Sequence, residues 1–136
     1  MKVRDYMSTS VVTVPPGMGI MQLVHLLAER NVGGAVVADE NGLLMGIVSE
    51  RDCISVAVHA GYFDEFGGTV SEYMTRNVET CGANENLLDV AQRMAGSAHR
   101  LFPVVEDGRL IGVLSRGHVL GALTNSTWFT SDAVGG

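Results

Sequence analysis

The sequence is poor in cysteine. Its two cysteines, Cys53 and Cys81, lie far apart, and neither belongs to a CxxC motif or has a cluster of histidines nearby. This spacing argues against a disulfide scaffold and against a zinc site. We interpret both side chains as reduced thiols, which predicts a cytoplasmic protein.

Basic residues are also scarce. Nine lysine and arginine residues stand against fifteen aspartate and glutamate residues, giving a net charge of -6. This balance argues against a general nucleic-acid-binding surface. It still permits local binding of an anion by single arginines or by the N-terminus of a helix.

The signatures of membrane insertion and of catalysis are missing as well. No apolar run approaches the roughly 18 residues of a membrane span, and the first residues do not form a signal peptide. There is no Walker loop, zinc motif, Ser-His-Asp or Cys-His arrangement. His25, His59 and His99 lack the spacing of metal ligands. The sequence therefore predicts neither an enzyme nor a metal site.

What the sequence does contain is an internal repeat. Residues 3–54 and 70–120 carry the same pattern; Val3, Tyr6, Met7, Val11 and Thr13 recur as Val70, Tyr73, Met74, Val78 and Thr80. Residues 44–49 recur in the same way as residues 110–115. Two repeats are too few for a solenoid. They predict one domain of two pseudo-symmetric halves, each covering the other's apolar face, with two related clefts.

Each half is predicted to fold as β-α-β-β-α. In the first half we expect a strand over residues 11–14, then a helix with the apolar stripe Ile20, Leu23, Val24 and Leu27, which ends near Asn31. Residues 35–38 and 43–48 should form a hairpin around Asn41-Gly42. Ser49 should cap the next helix.

The second half should repeat this order. We expect a strand over residues 78–81, a helix with the stripe Leu87, Val90, Ala91 and Met94 that is capped by Asn84 or Asn86, and a hairpin over residues 101–114. Ser115 should cap the last helix. By this scheme repeat 1 covers residues 1–61, a linker covers 62–69, repeat 2 covers 70–124, and a polar tail covers 125–136. We expect the linker aromatics to pack on the domain, whereas Trp128 could dock on the body or on a partner.

The doubled unit resembles the cystathionine-β-synthase (CBS) domain family. The resemblance is carried by Tyr-Met-(Ser/Thr) ahead of each first strand, by Phe102-Pro103-Val104-Val105-Glu106-Asp107-Gly108, and by Gly-Ile-Val-Ser-Glu-Arg-Asp at residues 46–52. A tandem pair of this kind resembles a Bateman module. The resemblance implies an α/β (α+β) fold in which two CBS repeats pack sheet to sheet. It also implies an adenosine-containing ligand in a cleft between the repeats (AMP, ADP, ATP, NAD or S-adenosylmethionine), no required cofactor, and a homodimer that acts on an effector protein.

The segment from Ser49 to Asp52 is the strongest candidate for ligand contact. A carboxylate can accept hydrogen bonds from both hydroxyls of a ribose, and charge-assisted bonds are the stronger kind. The resemblance gives Ser49 and Asp52 to ribose recognition. The alternative is that Ser49 only caps the helix and Asp52 only favours its dipole.

The second copy departs from this pattern, because His118 replaces the acid that follows Ser115. A neutral imidazole offers one acceptor and cannot hold a diol as a carboxylate does. We therefore predict unequal sites, with the Ser115/His118 site weaker, empty or adapted to another ligand. The alternative is that His118 is a solvated helix residue.

The remaining candidates surround these two segments. By family position, the base slot of the first site would be formed by Val12, Thr13, Val14, Gly34, Ala35 and Val36, and that of the second by Thr80, Leu101, Phe102 and Pro103. Many members of the family carry proline where this chain has Val36, so the resemblance does not define the shape of the base slot at this position. Phosphates would be held by Arg51 in the first site and Arg116 in the second. For every one of these residues the plain alternative is core packing or a solvated surface charge.

Two functions follow from these observations. The first is a non-catalytic regulatory module that senses an adenine nucleotide by binding one conformation more tightly than another. The second is a structural dimerisation or adaptor module without a ligand.

Overall fold

The computed structural model describes residues 1–63 and 67–125. The side chains of the linker aromatics Tyr62, Phe63 and Phe66 and the tail residue Trp128 lie outside the described part, so their predicted packing is not addressed. In chain order the elements are a 3-10 helix (Val3–Asp5), β1 (Thr13–Val14), α1 (Ile20–Arg30), β2 (Gly34–Ala38), β3 (Leu44–Ser49), α2 (Glu50–Phe63), α3 (Val70–Tyr73), α4 (Leu87–Ala95), β4 (Leu101–Glu106), β5 (Arg109–Ser115) and α5 (Arg116–Asn125).

The chain divides into two compact units that cut across the repeats. The β1–β3 unit comprises Val11–Val78 with Asp107–Leu110, and the β4–β5 unit comprises Met1–Ser10, Glu79–Glu106 and the described residues from Ile111 onward. Each unit therefore contains the body of one repeat together with the segment that opens the other.

In the β1–β3 unit, β2 is the central strand of a three-stranded sheet. It pairs in parallel with β1 through Thr13 and Val36, and antiparallel with β3 through Gly34 and Ser49. On the far side of β3, Ile47 and Thr75 exchange two backbone hydrogen bonds of 3.0 and 2.8 Å. The core under this sheet consists of Val14, Ile20, Leu23, Leu27, Ala35, Val37, Val48, Cys53, Val56, Val70 and Met74.

Helix α1 confirms the predicted apolar stripe. Ile20, Leu23 and Leu27 are buried, and Val24 packs against the same core. The helix ends at Asn31, whose φ of 52° is the left-handed conformation that asparagine tolerates. A short-range pattern thus predicted both the buried face and the end of this helix.

In the β4–β5 unit a two-stranded sheet is extended by isolated bridges. Cys81 pairs in parallel with Val104, and Ser8 pairs antiparallel with Val113. Helix α4 is capped by Asn86, whose side chain accepts from the amides of Leu88 and Asp89; Asn84 is not the cap. The core consists of Val3, Cys81, Ala83, Leu87, Val90, Met94, Phe102, Val104, Leu114, Val119 and Ala122.

Two predicted strands are shorter than expected. Residues 78–81 form only the single bridge at Cys81, and residues 11–14 form a strand only at Thr13 and Val14. Around Cys81 the partner strand limits the pairing: the Cys81 amide donates to the Pro103 carbonyl and its carbonyl accepts from the Val105 amide, but Pro103 has no amide hydrogen to donate to the Glu79 carbonyl, the next acceptor of the ladder. The Thr80 carbonyl, which is not directed at β4, accepts a 2.8 Å hydrogen bond from the Arg93 guanidinium.

Candidate functional site

The face of β2 decides which predicted residues can contact a ligand. Side chains alternate between the two faces of a strand, and the register places Thr13, Val36 and Ile47 on one face with Gly34 and Ser49. Val14 and Ala35 belong to the core on the helix side. From these two residues only backbone groups can serve a ligand on the Thr13 face.

Ile47 of β3 lies on the same face of the sheet. Ile47 pairs directly with Val36 and was not singled out from the sequence. The period-2 alternation of residues 44–49 is the signal that could have found it. We call the set Thr13, Gly34, Val36, Ile47, Ser49 and Asp52 the Asp52 face.

Ser49 and Asp52 form a reciprocal cap at the start of α2. The Ser49 hydroxyl accepts from the Asp52 amide at 3.2 Å, and the Asp52 carboxylate accepts from the Ser49 amide and hydroxyl, both at 3.0 Å. Both of the bonds that Ser49 donates are accepted by Oδ2 of Asp52. Within the described residues Oδ1 accepts no hydrogen bond, so the capping role and an acceptor role toward a ligand are compatible.

The charge at this helix start is negative. Glu50 and Asp52 both lie in the first turn of α2, with Arg51 exposed between them. Burial, followed by the charges of Asp52 and Glu50, raises the pKa of the Cys53 thiol. The thiol therefore stays protonated and unreactive at neutral pH.

The corresponding set in the β4–β5 unit has the same cap built from a different residue. The Ser115 hydroxyl accepts from the His118 amide at 3.2 Å, and Nδ1 of His118 accepts from the Ser115 amide at 3.0 Å. A ring nitrogen that accepts carries no proton, so the other nitrogen, Nε2, is the donor. His118 therefore reproduces the cap but presents a donor where Asp52 presents an acceptor.

The other candidates of the second site also lie on two different faces of their strand. Phe102 is fully buried in the core, where the Arg93 guanidinium lies 5.8 Å from its ring centroid. Leu101 and Pro103 alternate with it on the opposite face of β4. Arg116 is exposed and donates to the Ser97 carbonyl at 3.3 Å. Leu101 holds the place that Gly34 holds in the first repeat, so this site carries an extra bulky side chain.

The CBS domain model matches this chain twice, at residues 3–59 and 70–125. The chain belongs to the CBS domain family. The two matches make it a tandem CBS pair, or Bateman module, and its mixed helix-and-strand fold agrees with the folds of solved CBS pairs.

Several relatives share most of this CBS pair. It is 34% identical over 116 residues to the CBS domain-containing protein YhcV of Bacillus subtilis, covering 85% of this chain and 80% of YhcV. It is 32% identical over 113 residues to the uncharacterized protein MJ1225 of Methanocaldococcus jannaschii, covering 83% of this chain but only 39% of that longer protein.

Solved CBS pairs superpose on most of the chain. The structure of CBSX2 in complex with AMP has a TM-score of 0.80 and 31% identity, covering 90% of this chain and 96% of that one. The CBS pair of MJ0100 in complex with 5′-methylthioadenosine and S-adenosyl-L-methionine has a TM-score of 0.78 and 26% identity, covering 91% and 96%.

Within residues 1–63 and 67–125, no helix is long and apolar enough to cross a membrane. The same part of the chain brings together no group of three His, Cys, Asp or Glu side chains that could hold a metal ion.

Proposed function

We propose that this CBS pair is a non-catalytic regulatory module that binds an adenosine-containing ligand on the Asp52 face and acts on an effector protein in the cytoplasm. The observation that carries the proposal is the Asp52 carboxylate, whose Oδ2 accepts two bonds from Ser49 and whose Oδ1 accepts none within the described residues. The complexes of CBSX2 with AMP and of MJ0100 with adenosyl compounds support the ligand class.

The difference between the two repeats supports the choice of site. Asp52 offers a negatively charged acceptor to a ribose diol, whereas His118 uses its acceptor nitrogen for the Ser115 amide. A diol carries two donors and therefore needs acceptors. The Asp52 face is accordingly the stronger nucleoside site, and the Ser115/His118 set the weaker.

The test is calorimetry with AMP, ADP, ATP, NAD and S-adenosylmethionine against the wild type and two variants. Asp52→Asn keeps an acceptor for the cap but removes the charge, so we expect about fivefold weaker binding, since charge-assisted bonds exceed neutral ones by about 1 kcal/mol. His118→Asn is the matched control and should bind within about twofold of wild type. Loss of affinity in His118→Asn with none in Asp52→Asn would place the ligand in the other repeat.

A specific surface favours the second candidate, a dimerisation module. Ile54 and Val58 lie one turn apart on α2 and are 62% and 66% exposed. Beside them is a groove of about 220 Å³ between α1 and α2, formed by Val24, Leu27, Ala28, Asn31, Val32, Glu50, Cys53 and Ile54. A surface that carries both a projection and a hollow can pair with a second copy of itself.

The oligomeric state tests this candidate. Ile54→Glu should convert a homodimer to a monomer in light scattering, because a charge on the apolar surface must be desolvated on pairing. Glu40→Lys, an exposed change in the β2–β3 turn, is the control and should leave the mass unchanged. Failure of every nucleotide to bind at millimolar concentration, together with a dimer that Ile54→Glu dissociates, would favour the adaptor.

A further inference from the structure

The two units carry opposite charges at the same place on their helix pairs. Glu50 follows Ser49 at the start of α2 and lines the groove between α1 and α2. Among the described residues that form this groove, the others are uncharged, so Glu50 gives it a negative charge. Arg116 follows Ser115 at the start of α5, and its guanidinium donates to the carbonyl of Ser97, just after α4. An acid therefore lies between α1 and α2, and a base lies at the junction of α4 and α5.

An exposed apolar side chain follows each of these exposed charges by one helical turn. Ile54 is 62% exposed and comes four residues after Glu50, and Leu120 is 63% exposed and comes four residues after Arg116. Residues that are four apart lie on the same face of a helix. Each helix pair therefore presents a charge and an apolar side chain to solvent in the same order and at the same spacing, and only the sign of the charge differs.

The two helix surfaces complement each other better than either complements itself. We call Glu50, Ile54, Val58 and the groove beside them the α1–α2 surface, and we call Arg116 and Leu120 the α4–α5 surface. When either surface meets its own copy, charges of the same sign come together, which is unfavourable at an interface. When the α1–α2 surface meets the α4–α5 surface, an acid faces a base, and the exposed leucine meets the apolar side chains of the groove.

We propose that the α1–α2 surface of one copy of this chain binds the α4–α5 surface of a second copy, with Glu50 opposite Arg116 and Leu120 packed against Ile54 and its groove. The proposal rests on the dimerisation candidate, because it names the partner of the same exposed surface, and it does not depend on nucleotide binding. Exposed apolar patches with a polar rim mark sites of protein association. A second copy supplies both the base and the leucine at the spacing that this surface requires.

The test is an exchange of the two charges. Sedimentation velocity on the full chain without nucleotide measures the dissociation constant of self-association at low ionic strength. Glu50→Arg and Arg116→Glu should each weaken association about fivefold to thirtyfold, because each replaces an attraction between exposed charges by a repulsion. Combining both substitutions in one chain should restore the affinity to within about threefold of the wild type, since the pair is rebuilt with its charges exchanged.

Glu40→Arg is the matched control for net charge. It makes the same change as Glu50→Arg in the turn that joins β2 and β3, at the opposite end of that hairpin from Glu50, and should leave the dissociation constant unchanged. Leu120→Glu tests the α4–α5 surface separately and should weaken association as Ile54→Glu does, because each buries a charge on pairing. In about 0.5 M salt the effect of each single charge reversal should shrink, because exposed charges are screened. Circular dichroism of each variant ensures that the constants compare folded proteins.

The outcomes are distinguishable. A wild type that stays monomeric up to millimolar concentration would overturn both the dimerisation candidate and this pairing, and it would leave the nucleotide site unaffected. If Ile54→Glu dissociates the wild-type assembly but neither single charge reversal weakens it, the surface stands and the pairing is wrong. That result is expected when like surfaces meet, because two arginines repel as two glutamates do. Failure of the double exchange to restore the affinity would also overturn the pairing of Glu50 with Arg116.

Discussion

Replacing Gly112 by alanine should destabilise the β4–β5 unit. Gly112 lies in β5, where the N-terminal segment approaches closely: a Cβ built on Gly112 would stand 2.8 Å from the carbonyl oxygen of Ser8 and 3.0 Å from Sδ of Met7. The Met7 side chain can turn away. The Ser8 carbonyl cannot move freely, because Ser8 and Val113 exchange two backbone hydrogen bonds of 2.9 Å each.

The size of the effect follows from these contacts. Forcing an extra methyl group into a packed site costs about 1–3 kcal/mol. Moving the Ser8 backbone also weakens two hydrogen bonds, each of which contributes about 0.5–1.5 kcal/mol net. Partial relief by Met7 reduces the sum, so we expect the free energy of unfolding to fall by about 2–4 kcal/mol.

Urea denaturation followed by circular dichroism measures this loss, and hydrogen exchange at the Ser8 and Val113 amides shows whether it occurs at the contact. Gly121→Ala is the matched control in the same unit. Gly121 lies within α5 with nothing within 4 Å of its added Cβ, so alanine should stabilise the helix by about 0.5–1 kcal/mol. The same glycine-to-alanine change should therefore lower the free energy of unfolding at position 112 and raise it at position 121. Equal stability of the two variants would refute the close approach at Gly112.

Two further predictions concern the same unit. Asn86→Ala should lower the free energy of unfolding by about 1 kcal/mol, because it removes the acceptor of the Leu88 and Asp89 amides. Thermal unfolding should show a smaller loss of stability for the control Asn84→Ala. Equal losses in the two variants would contradict the assignment of Asn86 as the cap. Burial, followed by the charge of Glu85, raises the pKa of the Cys81 thiol from 9.0 to about 11. The unfolded thiol therefore ionises first, and the stability present below pH 9 should decrease between about pH 9 and 11 by on the order of 2 kcal/mol. Denaturation of Cys81→Ala over this range should show a shallower slope than the wild type, and parallel slopes would contradict the raised pKa.

Short-range patterns predicted the elements well where the controlling residues are neighbours in sequence. The turn at Asn41-Gly42 and the turn at Asp107-Gly108 both use positive φ, at 81° for Gly42 and at 52° and 79° for the second pair. These conformations are chosen by the residues of the turn itself. The strand expected at residues 78–81 shows the limit, because its ladder would need an amide hydrogen from Pro103, more than twenty residues away, and proline has none.

The ligand-binding role of the candidate residues stays a prediction, and the sequence could not show how their side-chain atoms are oriented. Ser49 and Asp52 were identified by spacing, and the family match at residues 3–59 agrees with the resemblance on which their role was based. Spacing could not show that Oδ2 of Asp52 accepts both bonds of the cap while Oδ1 accepts none within the described residues. It also could not show that Nδ1 of His118 accepts from Ser115, since which nitrogen accepts depends on the ring's position in three dimensions.

The sequence by itself determined the doubling, the family and the helical and strand periodicities, because repeated local patterns of burial and capping are written in neighbouring residues. Only the tertiary structure decided that Val3 is buried in the core formed by the second repeat and that Val70 is buried in the core formed by the first. Periodicity shows that a side chain will be buried but not which segment will bury it. The choice depends on close approaches between distant segments, such as that of Ser8 to Gly112, which form only when the chain has folded.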